Sequence, residues 1–167
     1  MSQKNRRYPL KAKEAKYILT QVSNKLKVSF ESMFGSKPLV ETVEADFGEL
    51  LLIDGKPVLF KVGEAILPTL LSTEILAQLP KIVVDMGAVR FVCNGADVMA
   101  PGIRRYEGSF GKSDVVVVID EKHGKPLALG EVLYNFEEVK AIKQGPVVNT
   151  KHYVSDKVWN FMKTLSE

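Results

Sequence analysis

The apolar positions near the start of the chain recur every three or four residues between Tyr17 and Phe30. This spacing predicts an amphipathic helix over roughly residues 11–30, with its lysines on the side that faces water. Gly35 and Pro38 follow closely and end the helical pattern. The first large element of the fold is therefore expected to be a surface helix that buries one apolar face.

Shorter apolar runs predict strands in the middle of the chain. Apolar and acidic residues alternate over 39–46, as they do in a half-buried strand. Two apolar runs over 49–62 meet at Asp54 and Gly55, a pair typical of a β-hairpin because its tight turn requires positive φ. The next apolar pattern, over 66–80, predicts a short helix that its final proline ends.

The second half of the chain contains many short elements separated by turns. We place a domain boundary at Pro80, which divides the chain into residues 1–79 and 80–167. Helices are predicted over 86–95, 135–145 and 156–165, and strands over 81–85, 113–120, 125–134 and 147–154. Such regular spacing suggests a small barrel that is closed or partly closed.

Composition narrows the class of protein. The chain has 167 residues, a formal net charge of +3 and a single cysteine, so that no internal disulfide bond is possible. No apolar run approaches the roughly 20 residues of a membrane helix. The basic start lacks the apolar core of a secretory signal. We therefore expect a globular protein of the reducing cytoplasm, with no membrane segment.

Positive charge is concentrated at the start of the chain. Residues 1–37 contain nine lysines and arginines against two acids, whereas residues 38–79 contain two lysines against seven acids. A basic first segment can attract phosphate groups, but a solvated helix face has the same composition. Both interpretations stay open from the sequence.

Side chains that commonly carry catalysis or bind metals are scarce. His123 lies in a turn-like stretch, His152 lies in a strand expected to be partly exposed, and apolar neighbours favour a packed thiol at Cys93. A structural zinc site needs about four N or S ligands, and the chain has three His and Cys residues in total. We therefore expect no catalytic residue, no metal site and no cofactor; a carboxylate-rich metal site stays open, although no Asp or Glu spacing indicates one.

Residues 108–113, GSFGKS, bring together a glycine and a lysine as phosphate-binding loops do. The Walker pattern needs a further glycine where Tyr106 stands and a helix after the loop, whereas a strand is predicted here. A G-x-x-G clamp of the KH type would have to join two helices. We therefore expect neither nucleotide binding nor KH-type RNA binding at this loop.

The stretch CNGADVMAPGI, residues 93–103, is a second glycine-bearing loop with small or soft side chains between its glycines. Such a loop exposes backbone N–H and C=O groups, which suit single-stranded RNA. Arg90, Arg104 and Arg105 flank the loop and can reach phosphates. A plain helix-to-strand connector has the same composition, and local physics alone favours the connector.

The order of motifs around this loop resembles the PUA domain, the RNA-binding module named after pseudouridine synthases and archaeosine transglycosylases. The run GAVRFVCNGADVMAPGI is followed by SDVVVVID and PLALGEVLY, in the order of that family. The hairpin ELLLIDGKPVLFKVGEAILPTLL and the tail HYVSDKVWNFMKTL resemble stand-alone pre-PUA plus PUA proteins. These are related to the malignant T-cell-amplified sequence protein and the translation-machinery-associated proteins. The compact form and lysine-rich start resemble archaeal members.

The resemblance implies an α+β fold, in which an N-terminal α/β pre-PUA domain with a β-hairpin precedes a PUA pseudo-barrel of about six strands and a C-terminal helix. It also implies RNA binding without catalysis, in a groove between the early helix, the glycine loop and the last strand. The implied RNA-binding residues are Arg90, Asn94, Gly95, Ala96, Asp97, Val98, Met99, Pro101, Gly102, Ile103, Arg104, Arg105, Lys151, His152 and Tyr153. The loop backbone would read the RNA, and the arginines and Lys151 would neutralise phosphates. Tyr153 would stack on a base, and the role of Asp97 stays open.

The relatives also imply partners. We expect tRNA or small-subunit ribosomal RNA as the ligand, in a translation-associated role on the small ribosomal subunit. A separate protein with an initiation-factor-like domain would complete that role. Two alternatives stay open: an accessory RNA-targeting subunit for an RNA-modifying enzyme, and a protein–protein interaction module whose loop contacts another chain.

Overall fold

Residues 5–165 are described by a computed structural model, in which they form a five-stranded sheet and a six-stranded sheet accompanied by short helices. The first sheet contains, in spatial order, β1 (Arg7–Pro9), β2 (Val40–Ala45), β3 (Gly48–Ile53), β4 (Lys56–Val62) and β5 (Ala65–Pro68). All of its neighbouring strands are antiparallel. Asp54 and Gly55 join β3 to β4 with φ of 50° and 83°, which confirms the predicted hairpin turn.

The amphipathic helix near the start is confirmed, but it is shorter than predicted. Helix α1 (Ala12–Leu26) ends where Lys27 adopts a left-handed conformation with φ of 58°. A separate helix α2 (Phe30–Phe34) follows. The apolar spacing continues past the end of α1 because Val28 is also buried, and periodicity alone does not show the break.

The helix predicted over 66–80 is wrong in its first part. The chain reverses at Gly63, whose φ is 59°, and Ala65–Pro68 then pairs with β4 as strand β5. Only Thr73–Leu76 forms a helix, α3. Pairing with a neighbouring strand satisfies the backbone of β5, and this tertiary contact outweighs the helical pattern of the apolar residues.

The second sheet contains six strands, as the resemblance implies. They are β6 (Lys81–Val84), β7 (Val98–Met99), β8 (Ile103–Glu107), β9 (Val115–Asp120), β10 (Pro126–Val132) and β11 (Pro146–Tyr153), in the spatial order β7-β11-β10-β9-β6-β8. Only the β6–β9 pair is parallel among these strands. The two edge strands, β7 and β8, follow one another in the chain and are separated by the 3-10 turn Ala100–Gly102. The sheet therefore curls into a half-barrel with an open seam between its edges.

Three helices accompany the second sheet. They are α4 (Met86–Val92), α5 (Phe136–Val139) and α6 (Lys157–Leu165), of which α4 and α5 are shorter than predicted. Among residues 5–165, no helix is long and apolar enough to cross a membrane.

The two halves of the chain share buried apolar surface. The ring of Phe47 in the β2–β3 turn lies edge-on to Phe161 of α6, with their centroids 5.7 Å apart. Val83 and Leu129 of the second sheet and Met162 of α6 belong to the same apolar core as the first sheet. The two halves therefore pack against each other through this shared core, and the domain boundary at Pro80 stays a prediction.

Candidate nucleic-acid interface

Helix α4 begins in contact with the end of the glycine loop. The backbone N–H of Ala88 donates to Asp85 Oδ1 at 2.9 Å, which caps the helix. The N–H of Asp85 donates to the carbonyl of Gly102, also at 2.9 Å. A Cβ atom at Gly102 would lie 3.1 Å from the Cβ of Ala88, so that glycine allows the loop and the helix to pack closely.

The other end of α4 meets the last strand, β11, at Gly95. This residue has φ of +92°, and its N–H donates to the carbonyl of Val92 at 3.0 Å. A Cβ atom at Gly95 would lie 2.9 Å from ring atoms of Tyr153. The absence of a side chain therefore brings the loop backbone directly against the aromatic ring at the end of β11.

Side-chain hydrogen bonds hold the loop against β11. Asp97 Oδ1 accepts the backbone N–H of Thr150 at 3.0 Å, and Thr150 Oγ1 donates to the carbonyl of Ala96 at 2.9 Å. Strand β7 continues the attachment, because Val98 and Met99 pair with β11. Asp97, whose role the sequence leaves open, thus anchors the loop.

Exposed apolar side chains surround this attached loop. The exposed fractions are 54% for Phe91, 48% for Met99 and 43% for Met86. Phe91 and Met86 were not among the predicted site residues. No sequence signal separates Phe91 from Val92, because both are apolar neighbours on a short helix. Only the packing of α4 exposes one and buries the other.

The cations around the loop have different partners. The guanidinium carbon of Arg90 lies 4.9 Å from the ring centroid of Phe91, and Lys151 is exposed on β11. Arg104 Nε lies 3.1 Å from Glu121, and a nitrogen of Arg105 lies 3.6 Å from Glu107. Exposed ion pairs of this kind contribute little stability, so that a phosphate can replace the carboxylate.

Not all predicted site residues reach the surface. Asn94, Ala96, Asp97, Met99, Pro101, Arg90, Arg104, Arg105 and Lys151 are exposed, whereas Gly95, Gly102, Ile103 and Tyr153 are half-buried. Val98 is buried under the loop. The structure brings these residues together at α4, the loop and the end of β11, apart from Arg104 and Arg105, which lie on β8, and one further residue that faces the interior.

That residue is His152, and the expectation that it is partly exposed is wrong. Its side chain is fully buried, and its Nε2 accepts the backbone N–H of Leu70 at 3.1 Å. Its Nδ1 lies 2.7 Å from Asp156 Oδ2, and its ring lies edge-on to Phe60 with the centroids 5.0 Å apart. His152 therefore joins the second sheet to the first half of the chain and cannot contact a ligand at the surface.

The carboxylate of Asp156 is the polar centre of this buried contact. It also accepts the backbone N–H groups of Tyr153 and Trp159, so that it caps α6. Burial acts to raise the pKa of Asp156, but hydrogen bonds from His152 and these two N–H groups outweigh burial and lower the pKa. The charged form is therefore the one the fold stabilises.

The other glycine-bearing loop, residues 108–113, uses its backbone donors internally. The N–H of Gly111 donates to Asp114 Oδ2 at 2.8 Å, and the N–H of Lys112 donates to Asn135 Oδ1 at 2.8 Å. A phosphate would have to displace both side chains, so that the geometry does not favour a phosphate loop here.

The side chains that could take part in catalysis, Cys93 and His123, lie in a packed position and in a turn. Cys93 is half-buried, and burial raises the pKa of its thiol despite the nearby charge of Lys125. His123 lies exposed in the β9–β10 turn, as predicted. Among residues 5–165, no group of three or more His, Cys, Asp and Glu side chains is placed to hold a metal ion.

Two domain families match the chain. The PUA domain family matches residues 80–154, and DUF1947, a domain of unknown function, matches residues 6–73. The PUA match includes the whole surface of α4, the glycine loop and β11 described above. The DUF1947 match includes the first sheet and α1.

Similar proteins match this chain over most of its length. An uncharacterized protein of Methanocaldococcus jannaschii is 39% identical over 160 residues, covering 93% of this chain and 96% of that protein. Translation machinery-associated protein 20 of Saccharomyces cerevisiae is 28% identical over 145 residues, covering 82% of this chain and 80% of that protein. The crystal structure of a hypothetical protein from Pyrococcus horikoshii has a TM-score of 0.79 and 30% identity, covering 94% of this chain and 99% of that one.

Proposed function

This chain belongs to the family of proteins that join a DUF1947 (pre-PUA) domain to a PUA domain, and we propose that it is a non-catalytic RNA-binding protein that acts in translation. Its relative in Saccharomyces cerevisiae is named for association with the translation machinery. We further propose that the protein works in the cytoplasm, with tRNA or small-subunit ribosomal RNA as its ligand.

The observation that carries this proposal is the glycine loop fixed against the end of β11. Asp97 and Thr150 hold the loop in place before any ligand arrives, so that binding RNA costs little additional ordering. Gly95 removes the side chain that would otherwise separate the loop backbone from Tyr153. A rigid backbone platform beside an aromatic ring suits a single-stranded RNA end.

The side chains around the platform supply the two interactions that such RNA needs. Phe91 and Met99 offer exposed apolar surface on which unpaired bases can stack or pack. Arg90 and Lys151 offer positive charge for the phosphates. Together they support affinity for the RNA backbone with modest selectivity for the bases.

The proposed role on the ribosome requires a second protein. We propose that this partner carries an initiation-factor-like domain and that the present chain supplies the RNA contact. The experiment that tests the function is crosslinking of the tagged protein in cells, followed by sequencing of the attached RNA. Enrichment of tRNA 3′ ends or small-subunit rRNA would support the proposal, whereas recovery of protein partners without RNA would contradict it and favour a protein–protein interaction module.

A further inference from the structure

A cleft adjoining the glycine-loop surface lies at the open seam of the half-barrel. It has a volume of ≈ 530 Å³ and lies between the edge strand β8 and the segment that contains α5. Ala100 and Pro101 of the 3-10 turn form one wall, so that the cleft begins where the glycine loop ends. We call this space the seam cleft.

Positive side chains line the seam cleft from both sides. Arg104 and Arg105 come from β8, while Lys140 and Lys143 come from the residues that follow α5, and no carboxylate among residues 5–165 lines the cleft. The acids near α5 lie elsewhere, because Glu137 and Glu138 line a different cleft beside Lys25 and Lys27 of the first half. The fold therefore separates the charges of this short segment and directs the lysines to the seam cleft.

These cations are available to a ligand. The side chains of Arg104 and Arg105 are 61% and 55% exposed, and their ion pairs with Glu121 and Glu107 are of the weak, surface kind. Lys140 Nζ lies 4.8 Å from the ring centroid of Phe136, which holds the ammonium group over the floor of the cleft. A phosphate entering the cleft would therefore meet four cations at little cost in broken interactions.

The floor of the seam cleft is apolar and partly aromatic. Tyr106, Phe136 and Ile142 line it and are half-buried. Burial raises the pKa of Tyr106, and its hydroxyl can donate a hydrogen bond to a ligand. Cations above an aromatic floor are the combination that binds single-stranded nucleic acid with little dependence on sequence.

The seam cleft is continuous with the loop surface. The N–H of Ala100 donates to the carbonyl of Gly145 at 2.9 Å, and Met99 pairs with Pro146, so that the turn between the two surfaces is fixed on both sides. We propose that a single strand of RNA bound at the glycine loop continues past Pro101 into the seam cleft, where Arg104, Arg105, Lys140 and Lys143 bind its phosphates. This proposal rests on the proposed RNA-binding function and extends its ligand by several nucleotides.

An acidic protein segment is the other ligand with matching charge, since β8 is an edge strand that such a segment could pair with. Two observations favour RNA. The cleft adjoins the loop surface of the PUA domain, and its floor offers ring faces for bases besides charge for phosphates.

The test is a salt titration of RNA binding by the full-length protein. Fluorescently labelled bulk tRNA and small-subunit rRNA would serve as probes, with wild type and the double variant Lys140→Ala/Lys143→Ala. We expect the slope of log affinity against log salt to fall by about one per lysine removed, with roughly tenfold weaker binding at low salt. The matched control is Lys56→Ala/Lys61→Ala, which removes the same charge from β4, within the acid-rich residues 38–79, and should leave both quantities unchanged.

The variant Arg90→Ala/Lys151→Ala separates this proposal from the function on which it rests. If that variant loses affinity while Lys140→Ala/Lys143→Ala keeps the wild-type slope, the seam cleft is no part of the RNA path and the RNA-binding function stands. If neither variant loses affinity, both proposals are wrong. If the seam lysines are needed to bind a labelled polyglutamate peptide but not RNA, the seam cleft belongs to an acidic protein partner and the present proposal is overturned.

Discussion

The last strand of the second sheet places neighbouring residues in opposite surroundings. Lys151 is exposed and Tyr153 lies against the glycine loop, whereas His152 between them is fully buried against the first half of the chain. The register of β11 against β10 shifts at this point, so that Lys151 is an extra residue opposite no partner. One short segment of strand thus contributes both to the proposed binding surface and to the joint between the two halves.

This contrast shows how proximity in sequence can mislead about function. All three residues match the position that the PUA resemblance assigns to RNA binding. Their polar groups have different partners, because the Nε2 of His152 is already used by Leu70 while the ammonium group of Lys151 faces water. If the two sides of β11 have separate roles, variants on the buried side should change stability, and variants on the exposed side should change RNA affinity.

Replacing His152 should affect stability and leave binding intact. In His152→Ala, the backbone N–H of Leu70 loses its acceptor and a cavity forms beside Phe60, so that the free energy of unfolding should fall by about 3 kcal/mol. Urea denaturation measures the loss, and RNA affinity measured on the folded protein should equal that of wild type. A loss of affinity in the folded variant would break the proposed separation of the two sides.

Replacing Phe91 should have the opposite outcome. Phe91→Ala removes an exposed ring on which a base can stack, so that RNA affinity should fall by about 2 kcal/mol while the free energy of unfolding changes by less than about 0.5 kcal/mol. The matched control is Leu39→Ala, because Leu39 has the same exposed fraction of 54% on the first half of the chain. Equal RNA affinities for the two variants would show that Phe91 does not contact the ligand.

Gly95 tests the contact between the loop and Tyr153. In Gly95→Ala, the added Cβ would lie 2.9 Å from the tyrosine ring and would displace it, so that RNA affinity should fall about tenfold. Gly124→Ala is the control, since Gly124 also has positive φ, but apart from its own chain neighbours no atom of residues 5–165 lies within 4 Å of the added Cβ. Both variants should lose about 1 kcal/mol of stability from backbone strain, and only the first should bind RNA more weakly.

Lys151 should produce the smallest effect. Lys151→Ala should reduce the salt slope of RNA binding by about one and lower the affinity a few-fold, because one phosphate contact is lost. Stability should stay unchanged, in contrast to the variant of the adjacent His152. A filter-binding series at increasing salt measures the slope, and an unaltered slope would remove Lys151 from the binding surface.

The elements predicted best are those with strong local signals. The hairpin at Asp54 and Gly55 needs positive φ at two adjacent positions, and few sequences other than this pair satisfy that requirement well. Strand β9 is a run of buried, mostly apolar residues, and its sequence shows no helical spacing that would compete with the strand prediction. Strand β5 lies at the start of a stretch whose apolar spacing predicts a helix, because its own residues are too few to show a strand pattern and their state depends on pairing with β4.

The candidate site likewise has features that the sequence predicts and features that only the packing of elements establishes. The position of the glycine loop follows from the motif order, with half-buried Gly95 and Gly102 in the loop and exposed Arg90 on the helix before it. The exposure of Phe91 and the anchoring role of Asp97 depend on how α4 and β11 approach each other. Contacts between elements distant in sequence have no local signature, so that these roles emerge only from the packed structure.

The sequence by itself determined the alternation of strands and helices, the charge distribution, the scarcity of catalytic side chains and the PUA resemblance, since each depends on residue type and local spacing. The tertiary structure alone decided which residues of the glycine loop and β11 are exposed. It buried His152 and exposed Phe91, and it gathered Lys140 and Lys143 beside Arg104 and Arg105 at the open seam. The physical reason is that burial and charge clustering are properties of pairs of elements, and the curl of the second sheet sets which pairs meet.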